Sequence, residues 1–451
     1  MNRHQVAALL DEHQVETVKI GTPDMDGIYR GKRLSATQFL AGCEGPGFAQ
    51  CDVIFGWDVA EEIITNHLAI GSAENGFSDV LLRPDLDTFR IVPWEAGVAA
   101  VVCDVYDEHG KPVAVSPRAV LRGVVDRATR LGFEPMAAVE YEFRIFREDQ
   151  HSLRARHFSD LTPLNPGLNC YSISHASIDE DVVGDIRRNL DRYGIEVEGY
   201  NREHGEGMYE MNLRYAHALE SADRAMLFKS AAREICARHG ATPTFMAKYS
   251  DQVDGCSGHI HMSLWRDGAN AFHDSAEDHH ASATLRSFVA GVLETLPELF
   301  ALYAPNVNSY KRYVAGSWAP TSATWGVENR TAALRVIGGS AEGARVENRV
   351  PGADVCAYLG FAATLAGGLW GIERNLQPAP ALTGDAYRGE GLPPLPRTLD
   401  QSIELFDQST VARDWFGDAF VDHYVAMRRW EVERHRRAVT EWERRRYLEQ
   451  V

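Results

Sequence analysis

The chain has 451 residues, 45% of them hydrophobic and 24% charged, and carries a formal net charge of −18 at pH 7. That length supports a large core and points to more than one domain, while the acidic balance excludes a non-specific nucleic-acid binder, which needs a basic surface. Its seven cysteines are widely spaced and never form a CxxC pair, which fits reduced thiols rather than a disulfide framework or a zinc knuckle.

In chain order, the N-terminal stretch MNRHQVAALLDEHQVETVKI mixes charges into an amphipathic pattern with no uninterrupted apolar region. It is therefore no signal peptide, no stretch is long enough to span a membrane, and the expected location is cytoplasmic. Residues 1–110 look strand-rich. VETVKIGTPDMDGIYRGKRL reads as a strand, a turn and a second strand, and FRIVPW with GVAAVVCDVYDEHGKPVAVS suggests another hairpin around Asp107 to Gly110. The texture changes at Ser116, where SPRAVLRGVVDRATRLG has a Ser-Pro helix start, apolar residues at helical spacing and a terminal Gly132. A boundary near residue 110 follows.

Beyond it, SADRAMLFKSAAREICARHG is expected as a helix ending at Gly240, ATPTFMAK and SGHIHMSLW as strands, and SATLRSFVAGVLETLPELFALYA as a further helix. The Pro/Gly-rich QPAPALTGDAYRGEGLPPLP separates this core from a C-terminal helix. Strands and helices come in runs rather than in a βαβ rhythm, which favours an α+β class. The arginine-dense HYVAMRRWEVERHRRAVTEWERRRYLEQV is interrupted by Glu431, Glu433, Glu441 and Glu443, and reads as a solvated or subunit-facing helix laced by i,i+4 pairs.

Four apolar-flanked segments carry charge where a strand would bury it. In MAAVEYEFRIF, Glu140 and Glu142 are two apart and so share one strand face. SGHIHMSL does the same with His259 and His261, and ARVENRVPG with Arg345, Glu347 and Arg349; EHGEGMYEMNL adds Glu203 and Glu210. Each alone fits an ordinary polar strand face. Together, these carboxylates with a histidine make a lining for a hard divalent cation, magnesium or manganese rather than zinc. Arg312, Arg330, Arg335, Arg345 and Arg349 cluster in one short region of an otherwise acidic chain. They are either surface ion pairs or a bidentate grip on carboxylate and phosphate. No GxxxxGK[ST] or GxGxxG loop occurs, so a nucleotide would be held another way. The residues by themselves lead to a metal-dependent enzyme that handles anions.

In order along the chain, VEYEF, EHGEGMYE, GCSGHIHMSL, NRTAALR and RVENRVPGAD resemble the motifs of the glutamine synthetase superfamily. The resemblance implies an α+β glutamine synthetase fold, with an N-terminal β-grasp domain over residues 1–110 and a catalytic domain over residues 111–451. It also implies a dodecamer of two hexameric rings. The implied chemistry is ATP-dependent: the γ-carboxylate of glutamate is phosphorylated, and an amine then displaces phosphate. Two Mg²⁺ or Mn²⁺ ions are implied, one on Glu142, Glu203 and Glu210 and the other on Glu140, His259 and Glu347. Arg330 and Arg349 would stabilise the transferred group and Arg312 would grip glutamate, with Asp254 and Gly255 also lining the amino-acid site. Tyr215, His261, Ser263, Arg335 and Arg345 match nucleotide-side positions.

Two departures bear on the acceptor. The family's ammonia-using members carry Gly-Tyr-Glu-Ala-Pro in the flap over the glutamate site, and this chain reads GSWAP, with Trp318 in place of the acid. Their Phe-Asp-Gly-Ser-Ser loop aligns with FAQCD, so Ala49 replaces a second aspartate, although Asp52 is nearby. An ammonium pocket without both carboxylates binds that ion poorly, whereas an aromatic packs against an organic amine. The pattern resembles the γ-glutamylamide and γ-glutamylpolyamine synthetase branch, with ethanolamine, short monoamines and polyamines as candidate acceptors and Tyr171 as a further pocket residue. The alternatives are an ammonia-using glutamine synthetase in which Glu328 or Asp52 takes over, and a catalytically inactive structural relative. Glu390 stands where adenylylated members carry tyrosine, so no adenylylation is expected there.

Overall fold

A computed structural model describes residues 1–451. Its first sheet contains β1 (Thr17–Pro23), β2 (Tyr29–Ser35), β3 (Phe48–Cys51), β4 (Asp79–Pro84), β5 (Arg90–Ile91) and β6 (Val98–Tyr106). The order is β2-β1-β6-β4-β3, with β5 on β6. The expected β1–β2 hairpin is present: Asp24 accepts the backbone N–H groups of Asp26 and Ile28, and Gly27 takes the left-handed conformation (φ +75°) that the turn needs. β1 then pairs in parallel with β6.

The second expected hairpin is displaced. Residues 107–110 do turn, with Gly110 N–H donating to Asp107 O, but the chain beyond makes a single bridge, Tyr106 to Pro112. Proline has no N–H to continue a ladder. β6 instead finds its hairpin partner upstream in β5.

The second sheet comprises β7 (Glu134–Phe146), β8 (Val197–Arg202), β9 (Met208–Leu213), β10 (Ala216–His217), β11 (Thr242–Thr244), β12 (Gly258–Arg266), β13 (Ala269–Asn270), β14 (Trp325–Val327), β15 (Leu334–Ile337) and β16 (Arg345–Asn348). Its main path runs β14-β15-β16-β12-β7-β9-β8, almost wholly antiparallel. The α+β class therefore holds. β7 is central, and alternation divides its two faces. Val139, Tyr141 and Phe143 are buried behind, where Tyr141 stacks on Phe228 at 5.7 Å and Phe143 on Phe245 at 5.3 Å. Glu140 and Glu142 remain on the half-buried front.

Helices cover the back. Residues Pro117–Arg130 begin with proline in the first turn, where its missing N–H costs nothing, and helix Ala218–Arg238 starts three residues before the expected Ser221. Of ATPTFMAK only Thr242–Thr244 is strand. The apolar helices Ala283–Tyr303 and Ala357–Glu373 pack on one another, and no helix is long and apolar enough to cross a membrane. The C-terminal arginines form two helices, Asp418–Arg437 and Glu441–Tyr447. Only Glu433–Arg437 and Glu441–Arg445 are i,i+4 pairs. Arg428 is 3% exposed and pairs at 2.7 Å with Asp26 in the β1–β2 turn, so this part of the helix is interior rather than solvated.

Candidate active site

Strand register assembles the charged residues. Glu140 lies opposite His259 on β12 and Asn212 on β9, while Glu142 lies opposite Glu210 on β9. On the other side of β12, His261 faces Glu347 on β16, and Glu347 faces Arg335 on β15. Glu203 follows the last residue of β8, where Asn201 Nδ2 holds its Oε1 at 2.8 Å. Segments spread over more than two hundred residues thus meet on one face of one sheet.

Two carboxylate groupings result. In the first, His259 Nδ1 lies 3.1 Å from Glu140 Oε1 and 3.4 Å from Glu347 Oε1, and His261 Nε2 lies 3.7 Å from Glu140 Oε2. Glu140, His261 and Glu347 can each turn one ligand atom to within 4.8 Å of the others. Burial pushes the His259 imidazole down to about 4, with Arg349 adding to the effect, so the ring is neutral and keeps a lone pair at neutral pH. Its Nε2 is buried without a partner. Burial works against Glu140, yet hydrogen bonds from His259 and His261 hold it well below the usual carboxylate range.

The second grouping is Glu142, Glu203 and Glu210. Burial and the neighbouring Glu203 raise Glu142 to about 7, although Ser257 N–H donates to it at 2.5 Å. Burial, then Glu140, Glu142 and Glu203, raise Glu210 to about 10. Asn212 Nδ2 bridges Glu140 Oε2 at 2.7 Å and Glu210 Oε1 at 3.2 Å. Three carboxyl groups, oxygen donors of the kind a hard cation takes, are thus crowded together, and Arg312, Ser257 and Asn212 offset their burial and mutual repulsion only in part.

The arginines divide. Arg312 is 2% exposed and donates to Val350 O at 2.9 Å, Ser257 Oγ at 2.9 Å and Arg349 O at 3.2 Å. Arg349 Nη1 donates to Glu347 Oε1 at 2.5 Å, and its Nε to Arg330 O at 3.0 Å. Arg330 is exposed and pairs with no carboxylate. Tyr215, His261, Ser263 and Arg345 line one cleft of about 320 Å³ with Glu140 at its wall, and Arg345 Nε donates to His261 Nδ1 at 3.1 Å. Arg335, expected with them, is not in the lining. It is taken up by Glu328 and Glu347, which its own strand pairing presents to it.

At the glutamate-side positions, Gly255 is buried where a Cβ would lie 2.6 Å from Ala247 O and 2.8 Å from Arg312 Cγ. Asp254 Oδ2 meets His204 Nδ1 at 2.7 Å. His204 and Asn212 were not singled out from the sequence. Asn212 carried a signal, standing two residues after Glu210 on the same strand face; His204 carried none.

Trp318 is 58% exposed in a left-handed turn (φ +62°), anchored through its carbonyl to Arg349 Nη2 at 3.4 Å, and the next carbonyl, Ala319 O, accepts from Tyr387 OH at 3.0 Å. Tyr171 is 70% exposed and sits beside Glu203, with burial and that charge raising its phenol to about 12. No hydrogen bond or ring contact joins Tyr171 to Trp318. Asp52 is buried and accepts from Gly71 N–H at 3.1 Å and Asn75 Nδ2 at 3.0 Å, closing its own loop. Both carboxylates considered as substitutes in an ammonium pocket, Asp52 and Glu328, are thus already engaged.

Residues 114–447 match the family model described as glutamine synthetase, catalytic domain. The chain belongs to the glutamine synthetase family. It is 38% identical to a glutamate–isopropylamine ligase of Pseudomonas sp. over 99% of this chain and 97% of the other. It is equally 38% identical to the γ-glutamylethanolamide synthetase GlnA4 of Streptomyces coelicolor, over 99% and 96%. A type-1 glutamine synthetase 2 of Dictyostelium discoideum is 40% identical over 96% of this chain and 83% of that one. Among solved structures, a GmaS/ADP complex superposes with a TM-score of 0.86 at 28% identity, covering 98% of this chain and 99% of that one. The glutamine synthetase fold follows, and enzymes of this family use ATP and divalent metal ions.

Proposed function

We propose that the protein is an ATP-dependent ligase that joins the γ-carboxylate of glutamate to an organic amine through γ-glutamyl phosphate, releasing ADP and phosphate. A carboxylate is a poor electrophile and oxide a poor leaving group. The γ-carboxylate oxygen therefore attacks the terminal phosphorus of ATP and ADP departs; the amine nitrogen then forms the C–N bond as the C–O bond to phosphate breaks.

Two cations, Mg²⁺ or Mn²⁺, fit the two carboxylate groupings, one on Glu142, Glu203 and Glu210 and one on Glu140, His259 and Glu347. When bound they neutralise phosphate charge and draw the transferred group into line. The rest falls to the chain. Arg312, fixed by two carbonyls and a hydroxyl, presents its guanidinium to the glutamate carboxylate, and Asp254 and Gly255 wall that site. Arg330, unpaired and exposed, and Arg349, anchored on Glu347, face the phosphoryl group. Tyr215, His261, Ser263 and Arg345 hold the nucleotide in the cleft. The active unit is a dodecamer of two hexameric rings, working in the cytoplasm, each subunit with a β-grasp domain over 1–110 and a catalytic domain over 111–451.

The choice of an organic amine over ammonium rests on the flap: Trp318 is aromatic and exposed, while Asp52 and Glu328 are both committed elsewhere. The names of the two amine-ligating relatives support it. Phosphate release with ATP and glutamate, measured against ammonium, ethanolamine, short alkylamines and putrescine, tests the reading. An organic amine should exceed ammonium by about tenfold or more in kcat/KM, and Trp318→Glu should narrow that ratio. Equal or better turnover with ammonium would overturn the choice of acceptor, and no release with any amine would overturn the reaction.

A further inference from the structure

The substrate-gripping arginine has its own scaffold. Arg312 ends the short helical turn Ser309–Arg312, reached from the long helix Ala283–Tyr303 through residues 304–308. This connecting segment is pinned at three points. Asn308 exchanges hydrogen bonds with the backbone of Lys248, receiving Lys248 N–H at 2.9 Å and donating to its carbonyl at 2.8 Å. Asp354 Oδ2 accepts from Ser309 Oγ at 2.5 Å and from Asn306 Nδ2 at 3.2 Å. The third pin comes from far away in the chain: Glu431 Oε1, on helix Asp418–Arg437, accepts the backbone N–H of Val307 at 2.8 Å.

Glu431 is not an ordinary surface acid. Its other oxygen faces Arg428 Nη1 at 3.6 Å, and the same guanidinium reaches Asp26 at 2.7 Å. The carboxylate is therefore held between a buried arginine and one backbone donor, with Asp26 and Asp354 the other charges near it. Buried acid–arginine pairs are weak sources of stability, since desolvation offsets most of the attraction. An acid placed there to cap one particular backbone N–H, five residues before Arg312, points to positional control.

We propose that Glu431 is a positioning residue for the glutamate site: by accepting the Val307 N–H it fixes the segment that presents Arg312, and Arg428 with Asp26 holds Glu431 in place. The inference rests on the assignment of Arg312 to the glutamate carboxylate. Losing the cap lets residues 305–312 shift, and Arg312 then meets the substrate less well. The nucleotide cleft, built from β7, β9, β12 and β16, is untouched by such a shift.

The test compares Glu431→Met, which keeps the side-chain volume but removes the acceptor, with Glu431→Gln, which keeps an acceptor oxygen. Glu431→Met should raise the KM for glutamate about tenfold and leave the KM for ATP within about twofold, and Glu431→Gln should restore most of the loss. Equal rises in both constants, an unchanged glutamate KM, or a Gln variant as impaired as the Met variant would overturn the proposal. Arg312→Lys separates this from the underlying assignment. If it leaves the glutamate KM unaltered, the assignment of Arg312 falls; if it raises that KM while Glu431→Met does not, only the positioning role falls.

Discussion

Glu142 and Glu210 carry the most informative charges in the molecule. A carboxyl raised to about 7 and another raised to about 10 are partly or wholly protonated at neutral pH, because burial and mutual repulsion disfavour the second and third negative charges. A cation that binds there displaces those protons. Loading the metal-free protein with Mg²⁺ or Mn²⁺ at pH 7 should release protons, read as acidification of a weakly buffered solution, and Glu210→Gln should reduce the release. The same shifts set a pH dependence. A folded pKa above the ordinary 4.5 means that the folded state binds more protons than the unfolded state over that interval. These two groups therefore make the metal-free protein less stable as pH rises from about 5 to 9, and added metal should flatten that slope in thermal melts.

At this scale the sequence was readable wherever alternation carried the message. Glu140 and Glu142 two apart, or His259 and His261 two apart, imply a shared face whatever the partners are. What pairing does with a side chain afterwards was not readable. Arg335 and Arg345 look alike in sequence, yet β15–β16 pairing hands Arg335 to Glu347 and the end of β14 brings it Glu328, while Arg345 turns to His261. Asp52 likewise looked free until the loop at 71–75 folded over it.

Among the elements, the segment that leads into β12 bears most directly on Arg312. Gly255 runs between Ala247 O and the Arg312 side chain, both closer than a Cβ tolerates. Gly255→Ala must push on Arg312 or on a backbone carbonyl, and should raise the glutamate KM by about tenfold or more while the protein still binds ADP; isothermal titration of each ligand would show the split. Helices Pro117–Arg130, Ala218–Arg238 and Ala283–Tyr303 and strand β7 were legible because their patterns run for many residues, whereas Ala357–Glu373 was not singled out. The extent of the ladder beyond the turn at Asp107–Gly110 was not legible, because a good turn sequence does not announce how far pairing continues, and here it stops at the Tyr106–Pro112 bridge.

For the whole molecule, the chain ends are treated differently. The β1–β2 turn is sewn to helix Asp418–Arg437 by Asp26 and Arg428, whereas Trp442 on the last helix and Leu448 and Val451 beyond it stand outside at 61%, 80% and 98% exposure. Exposed apolar side chains on and just beyond a terminal helix fit burial against another subunit. Analytical ultracentrifugation should find a dodecamer, and removal of residues 439–451 should shift it towards smaller species without loss of the fold of each subunit. The family order of five motifs made the fold legible from sequence; the interior position of Arg428 was not, since an arginine-dense stretch reads as surface until a distant aspartate is brought to it.

The two faces of β7 carry one more consequence, for how the chain finds its structure. Sliding this strand by a single residue against β12 or β9 would drive two carboxylates among Phe228 and Phe245 and turn Tyr141 and Phe143 towards water. Mispaired states would therefore be heavily penalised before any cation or nucleotide is present. The glutamates crowded on one face of β7 thus also act as proofreaders of the chain's assembly, rejecting every odd-numbered slip of the central strand.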